Sequence, residues 1–514
     1  MPAYLHPGVY LEETGSGARP VDAVATSVTV FVGEDTRGPI ATPTLVHSQD
    51  DYEAVFGPLA SATDAMGLAA AAFYRNGGKD AYFVRVADPS AANTKAATLD
   101  LDGETATKVV TVLASSEGAW GNAILIRVRK PAATDTSFAL DVGHTVKRNG
   151  VDVFVVDETF PGLTLTAGDA QFAPSVVNTS SRLVRLKLNS ATGGLPKAFP
   201  TPTGNVDATA LTGGAAGAAN QLAYRAAFAK LEKVRDISII VLPGNAMAAN
   251  GSGNIAVAEA LSHCNKVGNR MVIVDPPSGT ELTNAAAVGA LSLPTSNYSA
   301  LYYPWLTIPN PFFNPDSNPA APRTLTMAPS AFAAALWSRT DGRRGVWKAP
   351  AGVEAQLNGV AGLEFEVGDG DQDQLNPLGV NCVRKLPSFG AVIWGARTLA
   401  TNADPPWRYI PVRRTAIMIE QSIYNGIQWA VFEPNDYRLW SSLRVNVGAF
   451  MDGLFRAGAF QGETASDAYF VRCALGDTMT QDDIDRGQVI VIVGFAPLKP
   501  AEFVIVRIQQ KTQQ

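Results

Sequence analysis

The 514-residue sequence predicts a multidomain protein of mixed α/β and α+β class, and three observations carry that prediction. A single hydrophobic core stops growing at about 250–300 residues, so a chain of this length needs several domains. Continuous apolar strands alternate with helices over residues 26–88 and 213–350, which predicts a parallel sheet covered on both faces. Segments of period two fill residues 89–212, and helices mix with strands over 351–500. We therefore predict an α/β sandwich domain with an inserted all-β protruding domain, then a C-terminal α+β domain, with an extended arm at each end.

The α/β domain begins with a predicted β–α–β unit. The apolar runs SVTVFVGE (27–34) and DAYFVRVAD (80–88) predict two buried strands. Between them, TDAMGLAAAAFYRNGG (63–78) has helical composition and ends at glycines that suit a C-cap. After residue 219 the predicted elements are the helix NQLAYRAAFAKLEKV, the strand DISIIVLPG, the helix IAVAEALSHCNKVG, the strands NRMVIVDPP and SALYYPWLTI, and the helix APSAFAAALWSRTDG.

The insertion is rich in Thr, Ser, Val, Gly and Pro and predicts a β-rich outer domain. Its strand-like segments are TKVVTVLAS, NAILIRVRK, VDVFVVDET and SRLVRLKLN. The Gly/Ala stretch LTGGAAGAA (211–219) marks the return to the α/β domain.

The C-terminal domain contains both kinds of element. Its predicted strands are FGAVIWGARTLA, SDAYFVRCAL and QVIVIVGFAP, and its predicted long helices are RRTAIMIEQSIYNGIQWAVF and YRLWSSLRVNVGAFMDGLFRAG. TQDDIDRG predicts a short helix, because Thr480 and Asp483 resemble a capping box with Asp in place of Glu or Gln.

Both ends of the chain contain an isolated strand pattern. Residues 1–25 are rich in Pro and Gly, which discourages a helix, and GVYLEE within them is β-like. In the segment 501–514, AEFVIVRIQQKTQQ, the residues Val504, Val506 and Ile508 line one face of a strand. An unpaired apolar strand near a chain end is an aggregation hazard, which raises the question of which sheet the C-terminal strand completes.

Composition excludes several classes of protein. The net charge of −6 and the pI near 5.4 give no basic stripe for nucleic acid. The three cysteines are far apart in sequence, so neither a disulfide framework nor a zinc site is expected. We predict no signal peptide and no membrane span, since no apolar run reaches about 18 residues. The sequence thus indicates a chain that is made and folded in the cytoplasm.

The motifs of catalytic chemistry are missing from the sequence. There is no P-loop, no G-x-S-x-G and no H-E-x-x-H, so we predict no catalytic, cofactor-binding or metal-binding residues and no enzyme. Asp369, Asp371 and Asp373 have the 1-3-5 spacing of a calcium loop, but Gln374 and Val380 occupy its Gly and Glu positions, which favours a solvated acidic turn. The pair Arg413–Arg414 favours an ion-paired helix start over an anion site.

Several stretches, read in order, resemble the contractile tail sheath proteins of bacteriophages and related contractile injection systems. They are HPGVYLEE, FVGEDTRGP, DYEAVFGP, GAWGN, GVWKAPAG, LNPLGVNCVRKLPSFGAVIWGARTL, WRYIPVRRTAIMIEQSI and WAVFEPNDYRLW. Any one of them is a weak signal, but the ordered set spans nearly the whole chain. The insertion at 89–212 contributes only GAWGN.

The resemblance implies a subunit that forms stacked six-membered rings around a tail tube and contracts from a metastable extended state, driving the tube through a target envelope. The implied partners are further copies of the chain, the inner tail tube protein, and the baseplate and tail terminator proteins, in a virion tail or injection particle assembled in the host cytoplasm. In the family, both terminal arms add to sheets of neighbouring subunits. The matching residues here are Gly8, Val9, Tyr10, Leu11, Glu12 and Glu13 in the N-terminal arm, and Phe503, Val504, Ile505, Val506, Arg507 and Ile508 in the C-terminal arm.

The resemblance also implies that the C-terminal domain faces the tube. We predict tube-facing charges on its helices, at Asp452, Arg456, Asp482, Asp483 and Arg486, with a solvated helix surface as the alternative. Two other functions stay open from the sequence. One is another tail or baseplate protein with a sheath-like C-terminal domain, and the other is a hydrolase-like enzyme built on the α/β domain.

Overall fold

The structure, a computed structural model, describes residues 20–90, 92–103, 108–129, 136–190, 194–197, 207–247, 254–400 and 402–503. It divides into two compact units. The large unit comprises residues 25–414 and 500–503, and the small unit comprises residues 20–24 and 415–499. The N-terminal arm residues 8–13 and the C-terminal arm residues 504–508 lie outside the described residues. Among the helices that are described, none has the length and apolar character needed to cross a membrane.

The large unit opens with the predicted β–α–β unit. Its elements are β1 (Thr29–Gly33), β2 (Thr44–Val46), α1 (Gln49–Phe56), α2 (Ala65–Arg75) and β3 (Ala81–Arg85). Every residue of β1 is buried, and β1 pairs in parallel with β3. Helix α2 begins where the Asp64 carboxylate accepts from the N–H of Gly67 at 2.9 Å. The two strands and the helix predicted here are confirmed.

The insertion forms two antiparallel sheets, in the orders β10-β6-β7-β8 and β4-β5-β9. Its elements are β4 (Thr98–Asp102), β5 (Lys108–Ala114), β6 (Leu125–Arg129), β7 (Phe138–Arg148), β8 (Val151–Leu163), α3 (Ala173–Ser180), β9 (Val184–Leu188) and β10 (Thr209–Ala210). Helix α3 corrects the all-β prediction. Its sequence has weak helix propensity, but Pro174 suits the first turn, and Ala173 and Val177 are buried in the core shared with the strands.

Strands β1, β2 and β3 join five strands from the rest of the large unit in an eight-stranded sheet, in the order β18-β17-β13-β12-β11-β1-β3-β2, and β14, β15 and β16 form a separate three-stranded sheet. The elements of this part of the chain are α4 (Gln221–Leu231), β11 (Ile239–Ala246), α5 (Ile255–Val267), β12 (Met271–Asp275), α6 (Ala285–Gly289), β13 (Ser299–Tyr303), β14 (Leu306–Pro309), β15 (Thr324–Met327), α7 (Ser330–Arg344), β16 (Gly362–Leu363), α8 (Asp369–Leu375), β17 (Val380–Leu386), β18 (Gly390–Ile393) and α9 (Ile410–Gly426). The six inner strands are parallel, and the two edge strands are antiparallel to their neighbours.

Three features of this region differ from the sequence prediction. SALYYPWLTI forms two strands, β13 and β14, which separate at Pro304, a residue without an N–H for the ladder. The acidic stretch is the helix α8, because Asp371 accepts from the N–H of Gly368 and carboxylates are favourable at a helix N-terminus. Strands β17 and β18, from the stretch predicted as the C-terminal domain, belong to the eight-stranded sheet, where β17 pairs in parallel with β13.

The division between the two units falls within α9, after Arg414. The remaining elements of the small unit are α10 (Tyr437–Arg456), α11 (Ala465–Ala468), β19 (Tyr469–Arg472), α12 (Gln481–Asp485) and β20 (Ile492–Phe495). Helix α9 ends at Gly426 and not at Phe432 as predicted. In α10 the buried residues recur every four positions, at Leu439, Leu443, Val447 and Met451, so one stripe faces the core.

Candidate functional site

The small unit contains a sheet of only two strands, β19 and β20. They are antiparallel, with Tyr469 opposite Phe495 and Arg472 opposite Ile492. Within the described part of the small unit, no third strand joins either outer edge. Each edge therefore presents main-chain N–H and C=O groups without a ladder partner, which are a template for an added strand. Because two-stranded sheets are marginal on their own, added strands would stabilise this one.

One face of this sheet is apolar and exposed. Phe470 and Ile492 lie on that face with 46% and 44% of their surface accessible. The Phe470 ring covers Gly494 on the opposite strand, where a side chain would collide with it. The guanidinium of Arg472 lies 5.0 Å from the centre of the same ring. The exposed face thus combines apolar side chains with open strand edges.

The sheet is held from its other side by α10. Strand β19 packs on α10, and Leu443 shares a buried cluster with Cys473, the residue that follows β19. The guanidinium of Arg444 donates a hydrogen bond to the carbonyl of Cys473. The ring of Phe460 lies 5.5 Å from that of Phe495 on β20. These contacts fix the position of the two strands while leaving their outer edges open.

The root of the N-terminal arm lies in the small unit. Val21 is 7% exposed and packs on Gly426, where a Cβ atom would come within 2.7 Å of Val21 Cγ2. The N–H of Val24 donates to Oγ of the buried Ser422 at 3.0 Å. Residues 20–24, which connect to the arm, therefore have fixed contacts on α9.

The root of the C-terminal arm lies in the large unit. Glu502 forms two hydrogen bonds with the guanidinium of Arg397, and Phe503, the one predicted arm residue that is described, is 74% exposed. Each unit thus contains the root of one arm.

Besides the ion pair between Arg397 and Glu502, the large unit contains a buried ion pair near its start. Arg414 donates to both oxygens of Asp341 at 2.9 and 2.6 Å, and the two side chains are 4% and 5% exposed. Oγ1 of Thr26 also donates to Asp341, at 2.6 Å. Burial raises the pKa of Asp341, and the neighbouring guanidinium opposes that shift. The prediction of an ion-paired helix start is confirmed for Arg414.

The predicted tube-facing charges form two separate groups. On α10, Asp452 and Arg456 pair with each other at 2.8 Å. At α12, Asp483 pairs with Arg486 at 2.9 Å and also accepts from the N–H of Thr480 at 2.9 Å, which confirms the capping box. The hydrogen bond from Thr480 holds the pKa of Asp483 below its usual range. Asp482 lies in the first turn of α12. Their role at a tube stays a prediction.

The titratable groups of the described residues do not form a metal centre. Among these residues, no group of three or more His, Cys, Asp or Glu side chains is placed to hold a metal ion. Burial lowers the pKa of His263 to about 4 and raises that of the adjacent Cys264 to about 12. A thiol with a raised pKa is a poor nucleophile, so this pair has the character of core residues.

Two domains of one family match the sequence. Residues 216–399 match the phage tail sheath protein central domain, and residues 402–511 match the phage tail sheath C-terminal domain. Together they cover more than half of the chain. The chain belongs to the phage tail sheath family. It is 27% identical over 479 residues to the tail sheath protein of Burkholderia phage BcepMu, covering 89% of this chain and 88% of the relative. It is also 27% identical to the tail sheath protein of Enterobacteria phage T4, over 33% of this chain and 25% of that one.

Solved sheath structures share the fold. The sheath complex of an extracellular contractile injection system in its contracted state aligns with a TM-score of 0.60 at 23% identity, covering 99% of both chains. A sheath tail protein from Listeria innocua aligns with a TM-score of 0.60 at 12% identity, covering 93% of this chain and 97% of that one. The mixed α/β fold is therefore that of known tail sheath proteins.

Sequence reasoning missed three parts of this site. It identified β19 and β20 as strands but not as a sheet with open edges, and it singled out neither Arg397 nor Glu502. The signal for the open sheet was present, because no other strand pattern remains in the sequence between α10 and the C-terminal arm.

Proposed function

We propose that this chain is the structural subunit of a contractile tail sheath. It polymerises as stacked six-membered rings around an inner tube and contracts from a metastable extended state, which drives the tube through a target envelope. The observation that carries this proposal is the two-stranded β19–β20 sheet, whose edges no third strand joins within the described residues, in a chain whose sequence has a strand pattern near each end. Membership of the tail sheath family supports it.

In this proposal the two arms of neighbouring copies complete the β19–β20 sheet. Residues 8–13 of one copy and residues 503–508 of another add to the two open edges. Strand addition uses main-chain hydrogen bonds for affinity and alternating side chains for register. The exposed apolar face around Phe470 and Ile492 would receive apolar arm residues such as Val504 and Val506.

The energetics favour a lattice over an isolated dimer. Burying Val504, Val506 and Ile508 contributes about 1.5–3 kcal/mol for each side chain. Ordering five arm residues costs about 5–10 kcal/mol, and each main-chain hydrogen bond returns about 0.5–1.5 kcal/mol. For one arm, the favourable free energy of burial and hydrogen bonding therefore nearly equals the cost of ordering the arm. When a subunit in a ring binds through both of its arms, the second arm binds at a high effective concentration. The two arms together therefore bind much more tightly than one, and polymerisation is cooperative.

The energy for contraction comes from the difference between two packings of the same lattice. The sequence has no nucleotide-binding motif, and bistable packing needs none. The partners in this mechanism are further copies of the chain, the inner tail tube protein, and the baseplate and terminator proteins. The particle is a phage tail or a contractile injection system, assembled in the cytoplasm of the host.

The decisive experiment compares three chains by negative-stain electron microscopy and sedimentation. The full chain is expected to form wide hollow tubes. A chain ending at Phe503, which keeps the Arg397–Glu502 pair but lacks 504–508, is expected to remain as small particles with an unchanged melting temperature. The matched control ends at Gln510, which removes four residues but keeps 504–508, and it should form tubes. Equal assembly of the full chain and the chain ending at Phe503 would contradict strand addition. A single ring that does not elongate would favour a baseplate component.

A further inference from the structure

The C-terminal arm leaves the large unit beside a bidentate ion pair. Nε and Nη2 of Arg397 donate to Oε1 and Oε2 of Glu502 at 2.9 and 2.5 Å. Two parallel bonds fix both the distance and the direction of the carboxylate. The side chains are only 8% and 15% exposed. The neighbours of Glu502 in the chain, Ala501 and Phe503, are exposed, so the Glu502 side chain supplies the buried contact of this segment.

Arg397 is itself held by the scaffold of the eight-stranded sheet. Its N–H donates to Oδ1 of Asn381 at 2.6 Å, and Nδ2 of Asn381 donates back to its carbonyl at 2.8 Å. Asn381 lies on β17 and is fully buried. Nη1 of Arg397 donates to the carbonyl of Asn376 at 3.1 Å. The guanidinium therefore has a fixed orientation towards Glu502.

The pair is an unusual choice if stability alone is considered. Burying two charges carries a desolvation penalty that can exceed their attraction, so such a pair is weak evidence for stability. A bidentate pair does add geometric specificity. The hydroxyl of Tyr409 adds a third donor to the carboxylate, at 3.3 Å from Oε2. The carboxylate thus accepts three hydrogen bonds from the large unit, one residue before the predicted arm strand begins at Phe503.

We propose that the Arg397–Glu502 pair is a positioning anchor for the C-terminal arm. It fixes the point and the direction from which residues 504–508 reach the β19–β20 sheet of a neighbouring copy. It also connects the arm to β17, so that tension on the arm during contraction passes into the eight-stranded sheet. This inference rests on the sheath function proposed above.

The test is the full-length Glu502→Gln variant, which keeps the shape of the side chain and removes its charge. The matched control is Glu354→Gln, because Glu354 also accepts two bonds from one guanidinium, that of Arg344, but both side chains are more than half exposed. Light scattering gives the protein concentration at which tubes form. We expect Glu502→Gln to raise that concentration about tenfold, a change of about 1.4 kcal/mol. Its melting temperature should fall by a few °C, because the buried guanidinium of Arg397 loses its carboxylate, whereas that of the exposed control should stay within about 2 °C of the unaltered chain.

A second measurement separates positioning from folding. Fluorescently labelled Glu502→Gln subunits should enter tubes when they are mixed with excess unaltered subunits, since their own β19–β20 sheet is intact. An unchanged assembly concentration for Glu502→Gln would overturn the anchor while leaving the sheath function standing. A lowered melting temperature together with exclusion from mixed tubes would show that Glu502 serves the fold of the large unit, which also overturns it. If the unaltered chain and the control both fail to form tubes, the sheath function falls, and the anchor falls with it.

Discussion

The eight-stranded sheet of the large unit and the two-stranded sheet of the small unit differ in how far the chain covers their edges. In the large sheet, the chain itself covers the outer edge of β18. Residues 352–357 pair with it, for example through the N–H of Leu357 and the carbonyl of Ala391 at 2.9 Å. At the other end of the sheet, the edge strand β2 has only three residues. Within the described residues of the small unit, neither edge of the β19–β20 sheet is covered in this way.

The difference shows which interactions belong to the monomer and which to the assembly. A sheet with covered edges and buried strands is stable within one chain, whereas an open two-stranded sheet gains its stability from what binds to it. Substitutions of buried residues in the large unit should therefore lower the stability of the free subunit. Substitutions on the small sheet should leave that stability unchanged and weaken polymerisation.

The largest expected effect on the free subunit comes from Asp341→Ala. The substitution leaves the buried guanidinium of Arg414 without its carboxylate, which typically costs about 3–5 kcal/mol. Urea unfolding should show that loss in the free energy of unfolding. The control Glu354→Ala breaks an exposed ion pair and should cost at most about 1 kcal/mol. Equal stability of the two variants would mean that the Asp341 pair is not a structural element of the large unit.

Sequence reasoning succeeded where the signal is local. The continuous apolar runs predicted β1 and β12, and the spacing of Thr480 and Asp483 predicted the cap of α12. It failed for α3, since that helix forms by packing Ala173 and Val177 into a β core that local propensity does not register.

The site was predictable only in part, for a related reason. The period-two pattern of residues 503–508 predicts a strand, but it does not indicate which sheet this strand joins. Arg397 and Glu502 are 105 positions apart, so no local spacing connects them. The sequence between α10 and the C-terminal arm contains no strand pattern besides β19 and β20, but the pairing of these two strands, and the absence of a third within the described residues, are seen only in the structure.

An intermediate effect is expected from Ile492→Lys on the open sheet. Ile492 is 44% exposed in the subunit, so a lysine should leave the melting temperature unchanged. If an arm covers this face, the lost burial of about 1.5–3 kcal/mol should raise the concentration needed for tube formation about 10- to 100-fold. Light scattering measures that concentration.

The matched control for this substitution is Leu45→Lys. Leu45 is 43% exposed and lies on β2, the short edge strand of the large sheet. Its replacement should leave assembly unchanged. If both variants assemble equally well, the exposed face of the small sheet is not where arms dock, and the contrast between the two sheets would have to be abandoned.

The smallest expected effect is on tube binding, and it distinguishes the roles of the adjacent residues Asp482 and Asp483 on α12. Asp483 accepts from the N–H of Thr480 and pairs with Arg486, so Asp483→Asn should loosen the helix cap. Asp482→Asn should leave the melting temperature unchanged. If α12 faces the tube, Asp482→Asn should reduce co-sedimentation of tail tube protein with the sheath about two- to fivefold, the range for a single exposed charge pair. If tube binding does not depend on Asp482, the charges of α12 face solvent. The contact with the tube would then be expected at Asp452 and Arg456 on α10.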